Sequence, residues 1–161
     1  MRVAVIMGSV SDLPKLESMI GILKEYDVKV DVRCLSAHRA HNKLVEFINE
    51  VNNNGTDVVI AAAGMAAALP GVVASQTILP VIGVPISGKN LDGVDALLSI
   101  AQMPPGIPVA TVAIDGGKNA AYLALQMLAL TNEEISAKLK QDRIEMENAA
   151  IKANEEIKNK Y

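Results

Sequence analysis

The sequence predicts a doubly wound α/β domain with a parallel sheet of order 2-1-3-4-5. Short β-branched runs alternate with longer segments of helical period, the pattern of successive βα units. The first, third and fourth runs are apolar almost throughout, as strands covered on both faces must be. Glycine and proline mark the joints, with Gly55 before the third run and Pro80, Pro85, Pro104, Pro105 and Pro108 in the later loops.

Strands are expected near residues 2–7, 28–35, 57–62, 81–84 and 108–112, and helices near 13–25, 42–53, 66–76, 93–102 and 119–130. No linker, low-complexity tract or repeat divides the 161 residues, which fit one domain with a real core. The segment 132–160 follows no strand. Ile135, Leu139, Met146, Ala150, Ala153 and Ile157 place a narrow apolar stripe on an otherwise charged helix, and such a stripe must bury itself. Its own domain or a neighbouring subunit could cover it.

Half the residues are hydrophobic and 20% are charged, a globular composition. No apolar run reaches the roughly 18–20 residues of a membrane span, and the N-terminus enters the first strand without a signal-peptide pattern. One cysteine, Cys34, makes no internal disulfide and no metal site, so a reducing, cytoplasmic setting is expected. A net charge of −3, no Trp and a single Phe argue against nucleic acid as partner. A small-molecule ligand is the better expectation.

In an open parallel sheet, ligands bind beyond the carboxyl ends of the strands where the order reverses. The segments leaving the first three strands are Gly8-Ser9-Val10-Ser11-Asp12, Ser36-Ala37-His38-Arg39 and the run from Ala63 and Gly64 through Met65, Ala68 and Leu69 to Gly71. The first offers a tight turn and two hydroxyls at a helix start, where free N–H groups and the dipole favour phosphate. Asp12 would repel phosphate and suits a ribose hydroxyl. Ser or Asp as a plain helix cap is the competing reading. In the second segment His38 supplies an imidazole, which titrates near neutrality and moves protons. Arg39 supplies a planar fork for an anion. The small residues of the third allow close backbone approach, or else form an Ala-rich buried helix. Neither a Walker A sequence nor G-x-G-x-x-G is present. No Asp ends the third strand as in a receiver domain, and no G-x-S-x-G elbow occurs. The residues therefore suggest a phosphorylated nucleotide worked on by His38.

At these segments, and at Leu69-Pro70-Gly71-Val72-Val73-Ala74-Ser75, Leu91-Asp92-Gly93-Val94-Asp95-Ala96-Leu97-Leu98-Ser99-Ile100 and Gln102-Met103-Pro104-Pro105-Gly106-Ile107-Pro108, the chain resembles the 5-(carboxyamino)imidazole ribonucleotide mutases of purine biosynthesis. The resemblance runs to about Leu130. It implies a flavodoxin-like subunit in a homo-octamer, with the C-terminal helix reaching a neighbour. It also implies an isomerase that moves a carboxylate from the exocyclic nitrogen to carbon 4 of the imidazole ring, without ATP, metal or cofactor. By carry-over, Ser9, Ser11 and Arg39 would hold the phosphate, Asp12 the ribose, and Ser36 and His38 would flank the ring, with His38 as proton shuttle. Gly8, Ala63, Gly64, Met65, Ala68 and Leu69 would complete the pocket, the small-residue loop trapping carbon dioxide.

Met65 and Ala68 stand where many members carry a second Gly and a His, and Ala40-His41 replaces Thr-Pro. A direct carboxylase of 5-aminoimidazole ribonucleotide and a catalytically inert nucleotide-binding octamer are the alternatives. Arg39 and Leu69-Pro70-Gly71 favour the mutase over the carboxylase. The string Ala63-Gly64-Met65 with Ala68-Leu69-Pro70 is also similar to the longer carboxylase that begins nickel-pincer nucleotide synthesis.

Overall fold

A computed structural model describes all residues, 1–161. The chain separates into two compact units, Met1–Ala124 and Leu125–Tyr161. The first carries a five-stranded sheet of order β2-β1-β3-β4-β5, as the sequence predicts. Its strands are β1 (Arg2–Met7), β2 (Lys29–Cys34), β3 (Val58–Gly64), β4 (Val81–Ile86) and β5 (Ala110–Thr111), all paired in parallel. Between them lie α1 (Leu13–Glu25), α2 (His41–Val51), α3 (Leu69–Ala74) and α4 (Val94–Ala101), and α5 (Gly117–Leu128) follows β5.

The burial of each strand follows its place in that order. β1, β3 and β4 are flanked by neighbours on both edges and covered on both faces, so nearly every residue is buried. β2 is an edge strand, half exposed, and alternates Lys29, Asp31 and Arg33 along its length. Arg33 pairs with Asp31 at 3.3 Å and lies 4.9 Å from the Phe47 ring centroid. Such charges keep an open edge from recruiting another strand.

The core below the sheet joins Ala4 and Ile6 of β1 and Val59, Ala61 and Ala63 of β3 with Leu44, Phe47, Ile48 and Val51 of α2. Residues 44, 47, 48 and 51 are one helical face, so the period read from the sequence is the one that packs. Gly83 of β4 has a packing reason: a Cβ there would stand 2.4 Å from Ile100 Cγ2 and 2.9 Å from Val109 Cγ1. Only a residue without a side chain lets α4 approach the sheet this closely.

Several element ends differ from expectation by a few residues, and two of the differences have a plain physical cause. The third helix begins at Leu69 and not near residue 66, because Met65 and Ala67 take positive φ angles of 56° and 24° and Pro70 opens the helix. The fifth strand has only two residues, although the Val112 amide still donates to the Gly83 carbonyl at 3.1 Å. Pro108, at the expected start, has no N–H to contribute to a ladder.

The second unit is dominated by α6 (Glu133–Lys160), one helix of 28 residues. Asn132 caps it, accepting from the Ile135 amide at 3.0 Å. Glu133 and Glu134 in the first turn and Lys158 and Lys160 in the last complement its dipole. Of the apolar stripe, Ile135 is buried, while Met146 and Ile157 are exposed together with Ile144 and Ile151. No helix of the chain is long and apolar enough to cross a membrane.

Candidate active site

Parallel pairing brings the exits of four strands to one edge of the sheet, and a cavity of about 580 Å³ opens there. The exits are stitched together by backbone hydrogen bonds. The Leu35 amide, after β2, donates to Met7 at 2.9 Å, and the Gly8 amide, after β1, donates to Ala62 of β3 at 3.1 Å. Every candidate residue named from the sequence lines this cavity: Gly8, Ser9, Ser11 and Asp12, then Ser36, His38 and Arg39, then Ala63, Gly64, Met65, Ala68 and Leu69.

On the β1 side, Ser9 caps a short turn of 3-10 helix, Val10–Asp12, that leads into α1. Its Oγ accepts from the Ser11 amide at 3.3 Å and from the Ser11 hydroxyl at 2.8 Å. Asp12 occupies the cap position of α1 but makes no side-chain capping bond, so the plain helix-cap reading fails for it. The residue is 9% exposed, and its carboxyl accepts from the Ser11 hydroxyl at 3.4 Å. Burial pushes this carboxyl above its usual range. Hydrogen bonds from the Ser9 backbone and the Ser11 hydroxyl, and the nearby Lys15 charge, only partly oppose the effect.

On the β2 side, Ser36, His38 and Arg39 sit in a turn that ends at α2. The turn is closed by the Arg39 and Ala40 amides, which donate to the Ser36 carbonyl at 3.3 and 2.9 Å. Arg39 Nε approaches Ser36 Oγ at 3.5 Å, and both His38 and Arg39 are exposed. His41 is the first residue of α2 and is not part of the cavity lining.

The β3 side is apolar. Gly64 sits so close to β4 that a Cβ there would stand 3.1 Å from the Ile86 carbonyl oxygen. The chain then turns through Met65 and Ala67, both with left-handed backbone. This conformation costs an L-residue roughly 1–2 kcal/mol, and such strain collects at functional segments. Met65 is 69% exposed at this wall.

Ile86, Ser87 and Gly88, at the exit of β4, also line the cavity and are not among the residues expected from sequence. Their signal is the same strand-exit position that marks the first three segments. Ala37, Ala66 and Ala67 complete the lining. The chain holds no group of three or more His, Cys, Asp or Glu side chains arranged for a metal.

The raised pKa of Asp12 has a consequence for stability. Because the folded carboxyl holds its proton to higher pH than the unfolded one, ionisation at neutral pH opposes folding. Asp12→Asn is therefore expected to raise the melting temperature near neutral pH. The gain should fade toward about pH 4, where carboxyls ordinarily titrate. Melting curves at the two pH values check this, and an equal difference at both would contradict it.

Comparison with known proteins agrees with this geometry. Residues 2–149 match the sequence profile of the AIR carboxylase family. A Methanocaldococcus jannaschii protein named N5-carboxyaminoimidazole ribonucleotide mutase is 54% identical over 159 residues, covering 99% of each chain. A Pyrococcus abyssi protein of the same name is 52% identical over 145 residues, 90% of this chain and 83% of that one. The crystal structure of Treponema denticola PurE superposes with a TM-score of 0.87 at 29% identity, over 94% of each chain. With its sheet order, its strand-exit pocket and this extent of identity, the chain belongs to the AIR carboxylase family.

Proposed function

We propose that this protein is the N5-carboxyaminoimidazole ribonucleotide mutase of purine biosynthesis, an isomerase that converts its substrate to 4-carboxy-5-aminoimidazole ribonucleotide. The observation that carries the reading is one cavity in which Ser9, Ser11 and buried Asp12 share space with Ser36, His38, Arg39 and an apolar wall. The near full-length identity to a protein of that name supports it.

In this reading the phosphate is held by the Ser9 and Ser11 hydroxyls and by the guanidinium of Arg39. Asp12 accepts from the ribose hydroxyls, and Ser36 and His38 flank the imidazole ring. Protonated His38 gives its proton to the exocyclic nitrogen as the nitrogen–carboxylate bond breaks, with the bonding pair staying on nitrogen. Carbon dioxide is released into the pocket. Carbon 4 of the ring then attacks it, and neutral His38 removes the proton from that carbon as the new carboxylate forms. One proton is given and one taken back, so the isomerisation needs no oxidant or further reactant. The Ala63–Leu69 wall offers carbon dioxide no strong polar partner and keeps water away while the two fragments remain adjacent.

The decisive test supplies the substrate to purified protein in bicarbonate-free buffer and follows the product by its ultraviolet absorbance. Rapid isomerisation is expected. Carboxylation of 5-aminoimidazole ribonucleotide only with added carbon dioxide would instead assign the direct carboxylase, and binding without either reaction would assign an inert binder. Loss of a general acid–base group typically costs about 10²–10⁴-fold. His38→Asn is expected to lose turnover on this scale while nucleotide affinity, measured by calorimetry, stays within a few-fold. Normal turnover with lost binding would overturn the role of His38.

The exposed Ile144, Met146, Ile151 and Ile157 of α6 support a contact with neighbouring subunits in a homo-octamer. Sedimentation should show one species near eight times the 17.0 kDa chain, and a monomer would contradict this.

A further inference from the structure

We propose that Lys15 and Asp115 form a clasp that positions the Ser87 wall of the pocket against the Asp12 side. Both are then positioning residues for the reaction proposed above, on which this inference rests.

Lys15 stands one turn beyond Asp12 on α1 and reaches across the pocket edge to the exit of β4. Its ammonium donates to the Ser87 carbonyl at 3.1 Å, to the Ser87 hydroxyl, and to both Asp115 carboxylate oxygens at 3.1 and 3.0 Å. Asp115 in turn accepts from the Ser87 amide at 2.9 Å and from the Ser87 hydroxyl at 2.6 Å. All three polar atoms of Ser87 are thereby committed, its amide as donor, its hydroxyl as both donor and acceptor, and its carbonyl as acceptor.

Asp115 is itself fixed. Its amide donates to the Pro85 carbonyl at 2.8 Å, and its backbone is left-handed with φ 54°. Gly93 closes the fourth side: a Cβ there would meet Ser87 Cα at 3.0 Å, so α4 begins directly against this residue. Segments far apart in sequence thus converge on a serine that lines the cavity and would otherwise lie at the start of a loop. A lone, partly exposed ion pair adds little to stability. One that takes every polar atom of a pocket residue sets the distance between two walls, and small displacements of a bound substrate are costly in rate.

The clasp also balances charge at Asp12. Lys15 favours the Asp12 carboxylate and Asp115 disfavours it. His38 and Arg39 are the other titratable or charged side chains of the cavity. Removing either half of the clasp leaves the other unopposed.

The test compares Lys15→Met, Asp115→Asn and the double variant with the wild type, each in intact protein. Affinity for 5-aminoimidazole ribonucleotide is read by calorimetry, and kcat/KM is read against pH. Each single change is expected to weaken binding and lower kcat/KM by about ten-fold, with melting temperature nearly unchanged. The double variant should be no worse than the poorer single one, because both changes break the same unit. The acid limb of kcat/KM should move up in Lys15→Met and down in Asp115→Asn, opposite shifts that general loosening would not produce. Lys15→Arg should recover most of the loss. Unchanged affinity in both single variants, losses that multiply in the double, or limbs moving the same way would overturn the clasp. Wild-type turnover tests the functional reading separately, since the affinity series judges the clasp whether or not isomerisation occurs.

Discussion

The structure depends on a single constraint: all five strands run parallel, so every exit opens on the same edge, and the order reverses beside β1. The chain leaves β1 toward β2 on one side and later places β3 on the other. Segments separated by some tens of residues therefore meet over the end of β1. The Leu35 amide on Met7 and the Gly8 amide on Ala62 extend the ladders past the strands, making those meeting segments continuous with the rigid sheet. A site built in this way inherits its precision from the core beneath it.

That edge is chemically divided. The β1 and β2 exits contribute hydroxyls, a carboxyl, an imidazole and a guanidinium, whereas the β3 exit contributes alanines, Met65 and Leu69. Burial raises the free energy of the Asp12 carboxylate, and the surrounding donors only partly offset it. A carboxylate kept in such surroundings has more to gain from ligand hydroxyls than one already solvated. The left-handed Met65 and Ala67 backbone is a second local cost at the same edge. Both features oppose folding and lie where a substrate would be held, the pattern expected of a site shaped by function more than by stability.

Much of this was legible in the sequence, and the physical reason differs from element to element. β1 and α1 match their expected spans because an apolar run and a proline at the helix start are local signals. The face 44, 47, 48 and 51 of α2 is likewise written in its period. The start of α3 was not legible. An alanine run has high helix propensity, and nothing local announces that Met65 and Ala67 will adopt positive φ. The first three pocket segments follow from the strand-exit rule, and Ser87 and Gly88 follow from extending it to β4. The joining of Lys15 to Ser87 and Asp115, 72 and 100 residues away, has no sequence signature. It exists only once α1, β4 and the loop after β5 are packed together.

The claim at the centre of the functional reading is that the carboxyl group is released and recaptured without leaving the pocket. The most direct measurement uses substrate isotopically labelled in its carbamate carbon, turned over in buffer containing unlabelled bicarbonate. Retention of the label in the ring carboxylate of the product is the result expected of an apolar wall that holds carbon dioxide beside His38. A product carrying carbon from the buffer would contradict it, because the group would then have escaped and been replaced.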